Sequence, residues 1–222
     1  MATQLDLEEQ EQLDQLKAFW KQYGNLVTWV LVLALAAYVG WNRWQAWQRD
    51  QGEKAASMYD EVDHAVQASD ADRATRVFAD MKVRYPRTAF TQQAGLAAAR
   101  AEAGKGQLDA ARASLAWVAD QNGDDDYRRV ARLRLAGMLL DEKKYDEALK
   151  QVDAVDGTAF EALASDRRGD ILLAQGKTEE AKTAYQKAWA AMDAKVDYRR
   201  LVEAKLNVLG AAPAASAPEA VK

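Results

Sequence analysis

The sequence contains no cysteine, three prolines and a single histidine, and these scarcities exclude several classes of protein. Without cysteine the chain has no disulfide, no thiolate nucleophile and no soft-metal site, although this absence fits any redox compartment. The lone histidine, His64, cannot build a metal site or a catalytic triad by itself. With 30 basic and 34 acidic residues and no long basic run, the chain is not expected to bind nucleic acid. We predict no catalytic residue, no metal ligand and no cofactor.

Two short segments resemble ligand-binding loops but lack the residues that define them. Residues 176–178, Gly-Lys-Thr, match the end of a phosphate-binding loop, but an isoleucine stands five places before that glycine, where a second glycine is required. Residues 120–131 begin like a calcium-binding loop, but an aspartate replaces the obligatory glycine and an alanine replaces the bidentate glutamate. Both segments are interpreted as solvated turns between helices.

One long apolar run lies near the amino terminus. Between Lys21 and Arg43 there are 21 consecutive uncharged residues, QYGNLVTWVLVLALAAYVGWN. As an α-helix this run would extend about 31 Å, which is the thickness of the hydrocarbon core of a bilayer. It lacks the polar stripe of a surface helix. We therefore predict a membrane-spanning helix over residues 22–47, preceded by an N-terminal tail, residues 1–21. A buried core helix of a soluble protein is the alternative.

Aromatic residues flank this run on both sides. Five of the seven tryptophans fall within residues 20–47, and such rings anchor a helix at the level of the lipid headgroups. Arginine side chains beside them can extend toward phosphates. The predicted interface anchors are Trp20, Tyr23, Trp41, Arg43, Trp44 and Trp47. The tryptophans could instead form a packing stripe against a partner helix.

A cleavable signal peptide is a second alternative, because residues 34–36, Ala-Leu-Ala, have the form of a cleavage site. The leader before the apolar run is acidic, whereas a secretory leader is basic, and the run continues past the candidate site. An uncleaved anchor is therefore predicted. Basic residues are balanced on the two sides of the run, so charge does not determine its orientation.

The remaining chain is alanine-rich and contains four similar segments, which predict an all-α fold. The segments are ADRATRVFADM, LDAARASLAWV, YDEALKQVDAV and TEEAKTAYQKA. Their shared alanines, Ala74, Ala111, Ala148 and Ala181, are separated by 37, 37 and 33 residues. This spacing is close to the period of about 34 residues in tetratricopeptide repeats. We predict a tetratricopeptide-like solenoid of about four helical hairpins over residues 50–210. A chance alanine-rich bundle is the alternative.

Each of these alanines is accompanied by the residues that the repeat requires. A small residue precedes each of the last three by twelve positions, and packing residues follow all four at positions four and seven. The small residues are Ala99, Ala136 and Gly169. Thr158 with Glu161 predicts a capping box at the fourth hairpin.

The last part of the chain predicts a helix that covers the solenoid, because a terminal repeat exposes an apolar face. The segment DYRRLVEAKLNVL places Leu201, Leu206 and Leu209 on the predicted apolar stripe of this capping helix. Residues 211–222 form an alanine-proline tail with nothing to bury. Disorder is predicted there.

The register of the repeat predicts which side chains line the concave face formed by the first helices of the hairpins. They are Tyr59, Asp63, Leu96, Arg100, Leu133, Gly137, Asp166 and Asp170. Tetratricopeptide domains that clamp chaperone carboxyl termini place lysine and asparagine at such positions. This chain lacks that pattern, so a partner of the acidic-terminus type is not expected. These side chains could also be merely solvated.

The chain resembles the tetratricopeptide ancillary subunit of the bacterial SecYEG translocon over residues 8–209. The matching stretches, in order, are EQLDQLKAFWKQYG, GWNRW, RLRLA and DRRGDILLAQGKTEEAKTAY. The resemblance implies a single-pass protein of the bacterial inner membrane, with a cytoplasmic amino terminus and a periplasmic repeat domain. It further implies a non-enzymatic, chaperone-like adaptor associated with SecYEG. Its other implied partners are a membrane-anchored periplasmic prolyl isomerase and the emerging secretory or envelope-protein chains, alongside the lipid bilayer. A membrane-tethered scaffold that faces the cytoplasm and assembles another complex is the alternative.

Overall fold

The computed structural model describes residues 7–155, 157 and 159–212, and over these residues the chain is helical without any β-strand. The helices are α1 (Leu7–Gln67), α2 (Ala71–Arg84), α3 (Ala89–Gly104), α4 (Leu108–Asp120), α5 (Asp125–Asp141), α6 (Tyr145–Asp153), α7 (Glu161–Ala174), α8 (Thr178–Ala191) and α9 (Tyr198–Val208). The prediction of an all-α fold is confirmed.

Three predictions fall wholly or partly outside the described residues. They are the capping box at Thr158, the first residues of the N-terminal tail, 1–6, and the greater part of the C-terminal tail, 213–222. Helix α7 begins after Phe160, whose side chain makes no capping hydrogen bond.

The chain divides between Gln51 and Gly52 into two compact units. Helix α1 itself is continuous, so the backbone shows no break at the expected boundaries near residues 21 and 47. The apolar part of α1 has a mean hydropathy of 1.6 over 18 residues, and only 6% of that window is buried. This helix is therefore long and apolar enough to cross a membrane, and the described chain does not cover it as it would cover a core helix.

The second unit contains four helical hairpins. The first hairpin pairs the last part of α1 with α2, and the others are α3–α4, α5–α6 and α7–α8. The four shared alanines identified in the sequence, Ala74, Ala111, Ala148 and Ala181, are all completely buried. Because an alanine side chain is small, the two helices of each hairpin can approach closely at this point. The predicted hairpin solenoid and its register are confirmed.

The turn inside each hairpin has the same backbone conformation. The residue five positions before each shared alanine has a positive φ, and the next N–H donates to the carbonyl five residues back, at 2.8–2.9 Å. This bond closes the end of the first helix in the manner of a Schellman motif. The four residues are Ser69 (56°), Gly106 (76°), Lys143 (61°) and Gly176 (78°). Two hairpins thus place a non-glycine residue where glycine would be unstrained.

The core of the second unit consists of three buried clusters that follow one another along the hairpins. The indole of Trp117 on α4 packs against both the first and the central cluster. Its ring meets the buried Phe78 ring edge-on, with 5.3 Å between centroids and 84° between planes. This single side chain therefore links the first two hairpins.

The capping helix forms as predicted, but its buried face differs from the predicted stripe. Val202 and Leu206 are completely buried against α8, Leu209 is partly buried and Leu201 is 48% exposed. Positions 202, 206 and 209 are spaced four and three residues apart and share one helical face, whereas position 201 lies about 100° away from it. The assignment of Leu201 to the stripe was wrong.

Candidate partner-binding groove

The predicted groove residues lie in pairs on the first helices of the four hairpins. Tyr59 and Asp63 belong to α1, Leu96 and Arg100 to α3, Leu133 and Gly137 to α5, and Asp166 and Asp170 to α7. Each pair is separated by four residues, so its members stand one helical turn apart. The structure gives the three parts of this row different environments.

The amino-terminal part of the row is aromatic. Tyr59 is half-buried and its ring lies 6.1 Å from that of Phe90 between centroids. Gln93 donates a hydrogen bond to the Tyr127 hydroxyl. Burial, followed by the negative charge of Asp63, raises the pKa of Tyr59. Phe90 and Tyr127 were not predicted, because neither occupies the repeat position used to select groove residues.

In the middle of the row, one predicted residue belongs to the core. Leu96 is only 8% exposed and packs in the central cluster, and Leu133 is partly buried against the same cluster. A large aliphatic side chain at this position gains more from packing between neighbouring hairpins than from contact with water. Leu96 therefore contributes to the surface only through its backbone carbonyl, which accepts a hydrogen bond from Arg134 Nη1 at 3.3 Å.

A hollow of about 330 Å³ lies where α3, α4 and α5 meet, and we refer to it as the arginine hollow. Its lining consists of Ala99, Arg100, Ala103, Leu115, Arg134 and Met138. Both arginines are exposed residues, and neither forms an ion pair within the described ranges. Partial burial of the Arg134 guanidinium, followed by the positive charge of the nearby Arg100, lowers the pKa of Arg134. Arg134 was missed because it lies one position after the predicted Leu133.

Helix α9 covers the carboxyl-terminal part of the row. Asp166 is 2% exposed; its Oδ2 accepts from the Tyr198 hydroxyl and its Oδ1 from Lys205 Nζ, both at 2.8 Å. Asp170 Oδ1 accepts from Lys205 Nζ at 2.7 Å and from the Tyr185 hydroxyl at 2.8 Å. The two carboxylates are thus occupied by the protein's own donors, and Asp166 does not face solvent.

Hydrogen bonding to these carboxylates also affects the two tyrosines. Burial, followed by the hydrogen bond to Asp170, raises the pKa of Tyr185. Burial and the hydrogen bond to Asp166 do the same for the pKa of Tyr198. A deprotonated hydroxyl could no longer donate to a carboxylate, so the arrangement requires both tyrosines to be neutral.

The predicted membrane-interface anchors lie in the first unit and are exposed. Trp20, Trp41 and Trp47 are each 57% exposed, Trp44 is 49% exposed and Tyr23 is 43% exposed. Arg43 is also exposed. The rings of Trp41 and Trp44 lie 5.4 Å apart between centroids. The ring of Phe19, which was not predicted, lies 5.2 Å from that of Tyr23 between centroids, with 40° between the ring planes.

Comparison with known proteins connects this architecture to a family. A family profile described as a tetratricopeptide repeat-like domain matches residues 17–211. An ancillary SecYEG translocon subunit of Neisseria gonorrhoeae is 32% identical over 204 residues, covering 91% of this chain and 98% of the relative. The chain belongs to the family of ancillary SecYEG translocon subunits.

Other ancillary SecYEG translocon subunits are similar at lower identity. The subunit of Escherichia coli K12 is 26% identical, covering 90% of this chain and 96% of the relative. That of Haemophilus influenzae is 28% identical, covering 82% of this chain and 89% of the relative. The resemblance identified in the sequence is confirmed. Membership in this family and the single apolar helix together indicate a membrane-anchored protein.

Proposed function

We propose that this chain is a single-pass, non-enzymatic adaptor of the bacterial inner membrane, with its amino terminus in the cytoplasm and its hairpin domain in the periplasm. In this role it associates laterally with SecYEG and presents the hairpin domain to emerging polypeptides and to periplasmic chaperones. A membrane-anchored prolyl isomerase is the chaperone partner implied by the family resemblance.

The apolar segment of α1 carries this proposal. Only 6% of that segment is buried, and exposure of so long an apolar helix to water is unfavourable by about 25 cal/mol for each Å². A bilayer removes this cost, and the tryptophans at the ends of the run fit the headgroup regions. Confinement to the membrane also raises the effective concentration of the domain beside its partners, so weak contacts can suffice.

Translocon association is tested by exchanging the membrane span. In the variant, an unrelated apolar span of equal length replaces residues 22–47, so that membrane anchoring is retained. We expect the unmodified chain to co-purify with SecYEG from mild detergent, and the variant to remain in the membrane but to lose most of this association. If both chains co-purify equally, the span makes no specific lateral contact and this part of the proposal is wrong.

Topology is tested by labelling single cysteines, which the natural absence of cysteine makes direct. Gln15→Cys reports on the segment before the apolar run, and Asp146→Cys on the exposed start of α6. In cells with a permeabilised outer membrane, an impermeant maleimide should label Asp146→Cys but reach Gln15→Cys only after lysis. The reverse pattern would place the domain in the cytoplasm and favour the assembly scaffold.

The depth of the anchors is tested with single-tryptophan variants in vesicles of brominated lipid. Trp29 lies inside the apolar run, whereas Trp44 lies beyond it. We expect bromine deep in the acyl chains to quench Trp29 more strongly, and bromine near the headgroups to quench Trp44 more strongly. Equal quenching of both tryptophans at both depths would contradict an interfacial belt.

Binding of partner chains to the groove is tested by site-specific photocrosslinking during export. A photoreactive residue at Tyr59 or Arg100 should capture nascent secretory chains or the prolyl isomerase. The matched control is the same residue at exposed Val83 on α2, a second helix of a hairpin. If a photoreactive residue at Val83 captured these partners equally well, the partners would not bind preferentially to the first helices of the hairpins.

A further inference from the structure

The arginine hollow contains two positive charges without a negative partner. Arg100 and Arg134 both line it, and neither is paired with a carboxylate of the described chain. Most other arginines of the second unit differ in this respect; Arg112, for example, binds Glu142 with 2.7 Å between Nη1 and Oε2. Two unpaired guanidiniums near one another repel, and an anion placed between them would remove this repulsion.

The rest of the hollow is apolar. Ala99, Ala103, Leu115 and Met138 provide the remaining surface, and none of these side chains donates or accepts a strong hydrogen bond. The volume of about 330 Å³ is at the lower end of the range for ligand pockets and fits one aliphatic or aromatic side chain. Methionine is flexible and polarizable, so Met138 can adapt to apolar groups of different shapes. The hollow thus combines an anion-binding rim with an apolar floor.

We propose that the arginine hollow binds an internal aspartate or glutamate of an extended polypeptide, with an apolar side chain two residues away, on the same face of that polypeptide, inserted against Met138 and Leu115. The carboxylate then lies between Arg100 and Arg134. This inference deepens the proposed function, since it states which feature of a partner chain the groove recognises.

Charge and shape favour a polypeptide over the other anions of a cell envelope. The chain carries a net charge of −4, which disfavours binding to an extended anionic surface such as a nucleic acid or a layer of anionic lipid headgroups. A free phosphate would leave the apolar floor uncovered. An internal acidic residue provides a carboxylate with an apolar side chain on the same face of the extended chain two residues away, about 7 Å along the backbone. It also becomes available before the carboxyl terminus of a growing chain.

The inference is tested by peptide binding to the full-length protein in neutral-lipid nanodiscs. The probe is a fluorescein-labelled peptide, blocked at both ends, with Leu-Gly-Glu-Gly-Leu in a Gly-Ser spacer, so that the leucines share a face with the glutamate. The matched probe contains Leu-Gly-Gln-Gly-Leu and is otherwise identical. We expect fluorescence anisotropy to show about tenfold tighter binding of the glutamate peptide, because hydrogen bonds between two charged groups are stronger than those to a neutral amide.

Arginine variants test whether the hollow causes the tighter binding of the glutamate peptide. Arg100→Gln combined with Arg134→Gln should bind the two peptides equally. Arg84→Gln combined with Arg87→Gln, which removes the same two charges from exposed residues at the end of α2 and just after it, should keep the tenfold preference. Helical circular dichroism identifies any variant that fails to fold. The comparison of the two peptides on the unmodified protein does not depend on any variant.

Three results would overturn the inference. They are equal affinity for the glutamate and glutamine peptides, a preference that survives in the double arginine variant, and tighter binding of a peptide whose only carboxylate is its free carboxyl terminus. If the double variant instead loses binding only to nanodiscs of anionic lipid, the hollow recognises a membrane surface. None of these results bears on SecYEG association or topology, so they are distinct from failure of the proposed function.

Discussion

Lys205 on α9 binds Asp166 on α7, with 2.8 Å between Nζ and Oδ1, although 39 residues separate them in the sequence. The same Nζ lies 2.7 Å from Asp170 Oδ1. One ammonium group therefore serves two carboxylates, and it attaches the capping helix to the last hairpin. The apolar contacts of Val202 and Leu206 complete this attachment.

Replacing Lys205 should detach the cap. Lys205→Met keeps most of the side-chain volume but leaves Asp166 buried without its cation, at a cost of about 3 kcal/mol in the free energy of unfolding. Urea unfolding followed by circular dichroism measures this loss. Lys150→Met changes an exposed lysine of α6 and is the control, expected to have little effect. A loss below about 0.5 kcal/mol in Lys205→Met would show that the apolar contacts alone hold α9.

Glycine at the two strained turns should stabilise the protein. Ser69 and Lys143 have φ values of 56° and 61°, and the equivalent residues of the other hairpins are glycines. A non-glycine residue in this region is strained, so Ser69→Gly and Lys143→Gly should each raise the free energy of unfolding by about 0.5–1 kcal/mol.

The control for this prediction is Lys105→Gly, because Lys105 has a φ of −94° and is not strained. Glycine there only increases the entropy of the unfolded chain, so a small destabilisation is expected. Thermal unfolding of the three variants under one condition separates the two effects. Destabilisation by all three substitutions would refute the idea that the shared turn is strained at Ser69 and Lys143.

Gly169 and Tyr185 should be energetically coupled. A Cβ built at Gly169 would lie 2.5 Å from Tyr185 Cε1, which is too close for any real contact. Gly169→Ala should therefore destabilise the unmodified protein by about 2 kcal/mol more than it destabilises a Tyr185→Leu variant. A double-mutant cycle in urea measures this difference. Gly104→Ala, which meets no atom within 4 Å, is the control.

The absence of coupling in this cycle would mean that α7 and α8 can separate at no cost. The second and third hairpins support the expected result, since Ala99 and Ala136 occupy the position of Gly169 there, while Leu115 and Val152 occupy that of Tyr185. In these two hairpins a residue smaller than tyrosine on the second helix accompanies a residue larger than glycine on the first, whereas the first hairpin has Val62 and Phe78 at the two positions.

Tyr198 should remain protonated in alkaline solution for as long as the protein is folded. Because its pKa is raised in the folded state, the stability it provides is present below the ordinary tyrosine pKa of about 10 and is lost as the pH rises above it. At about pH 11, Tyr198→Phe should not change the tyrosinate absorbance of the folded protein. In denaturant at the same pH, the variant should lose the absorbance of one tyrosine. Loss of that absorbance in the folded state would contradict the hydrogen bond to Asp166.

Most of the hairpin architecture follows from residue spacing along the chain. A buried alanine, a small residue twelve positions earlier and packing residues after it define two helices that face one another, and all of these residues are within one hairpin. The apolar run of α1 can be identified in the same way, because its length and composition do not depend on the rest of the fold. The error at Leu201 arose where two adjacent apolar residues, Leu201 and Val202, competed for one face.

The surroundings of the charged groove residues could not be predicted in this way. The repeat register placed Asp166 on an open surface, but Lys205 and Tyr198 from a helix more than thirty residues away cover it. Arg134 was overlooked, although the fold brings it to the same hollow as Arg100. Whether a charged side chain faces water depends on which distant helix lies beside it.

Residue spacing alone was therefore sufficient to predict the long apolar segment of α1, the number of hairpins and the buried alanines, because an apolar period reflects neighbours within a few helical turns. Only the folded chain decided that Lys205 covers the acidic end of the row, and that Arg100 and Arg134 at its centre pair with no carboxylate of the described residues. Burial and pairing of charges are set by contacts between helices that are far apart in sequence, and a local pattern carries no information about them.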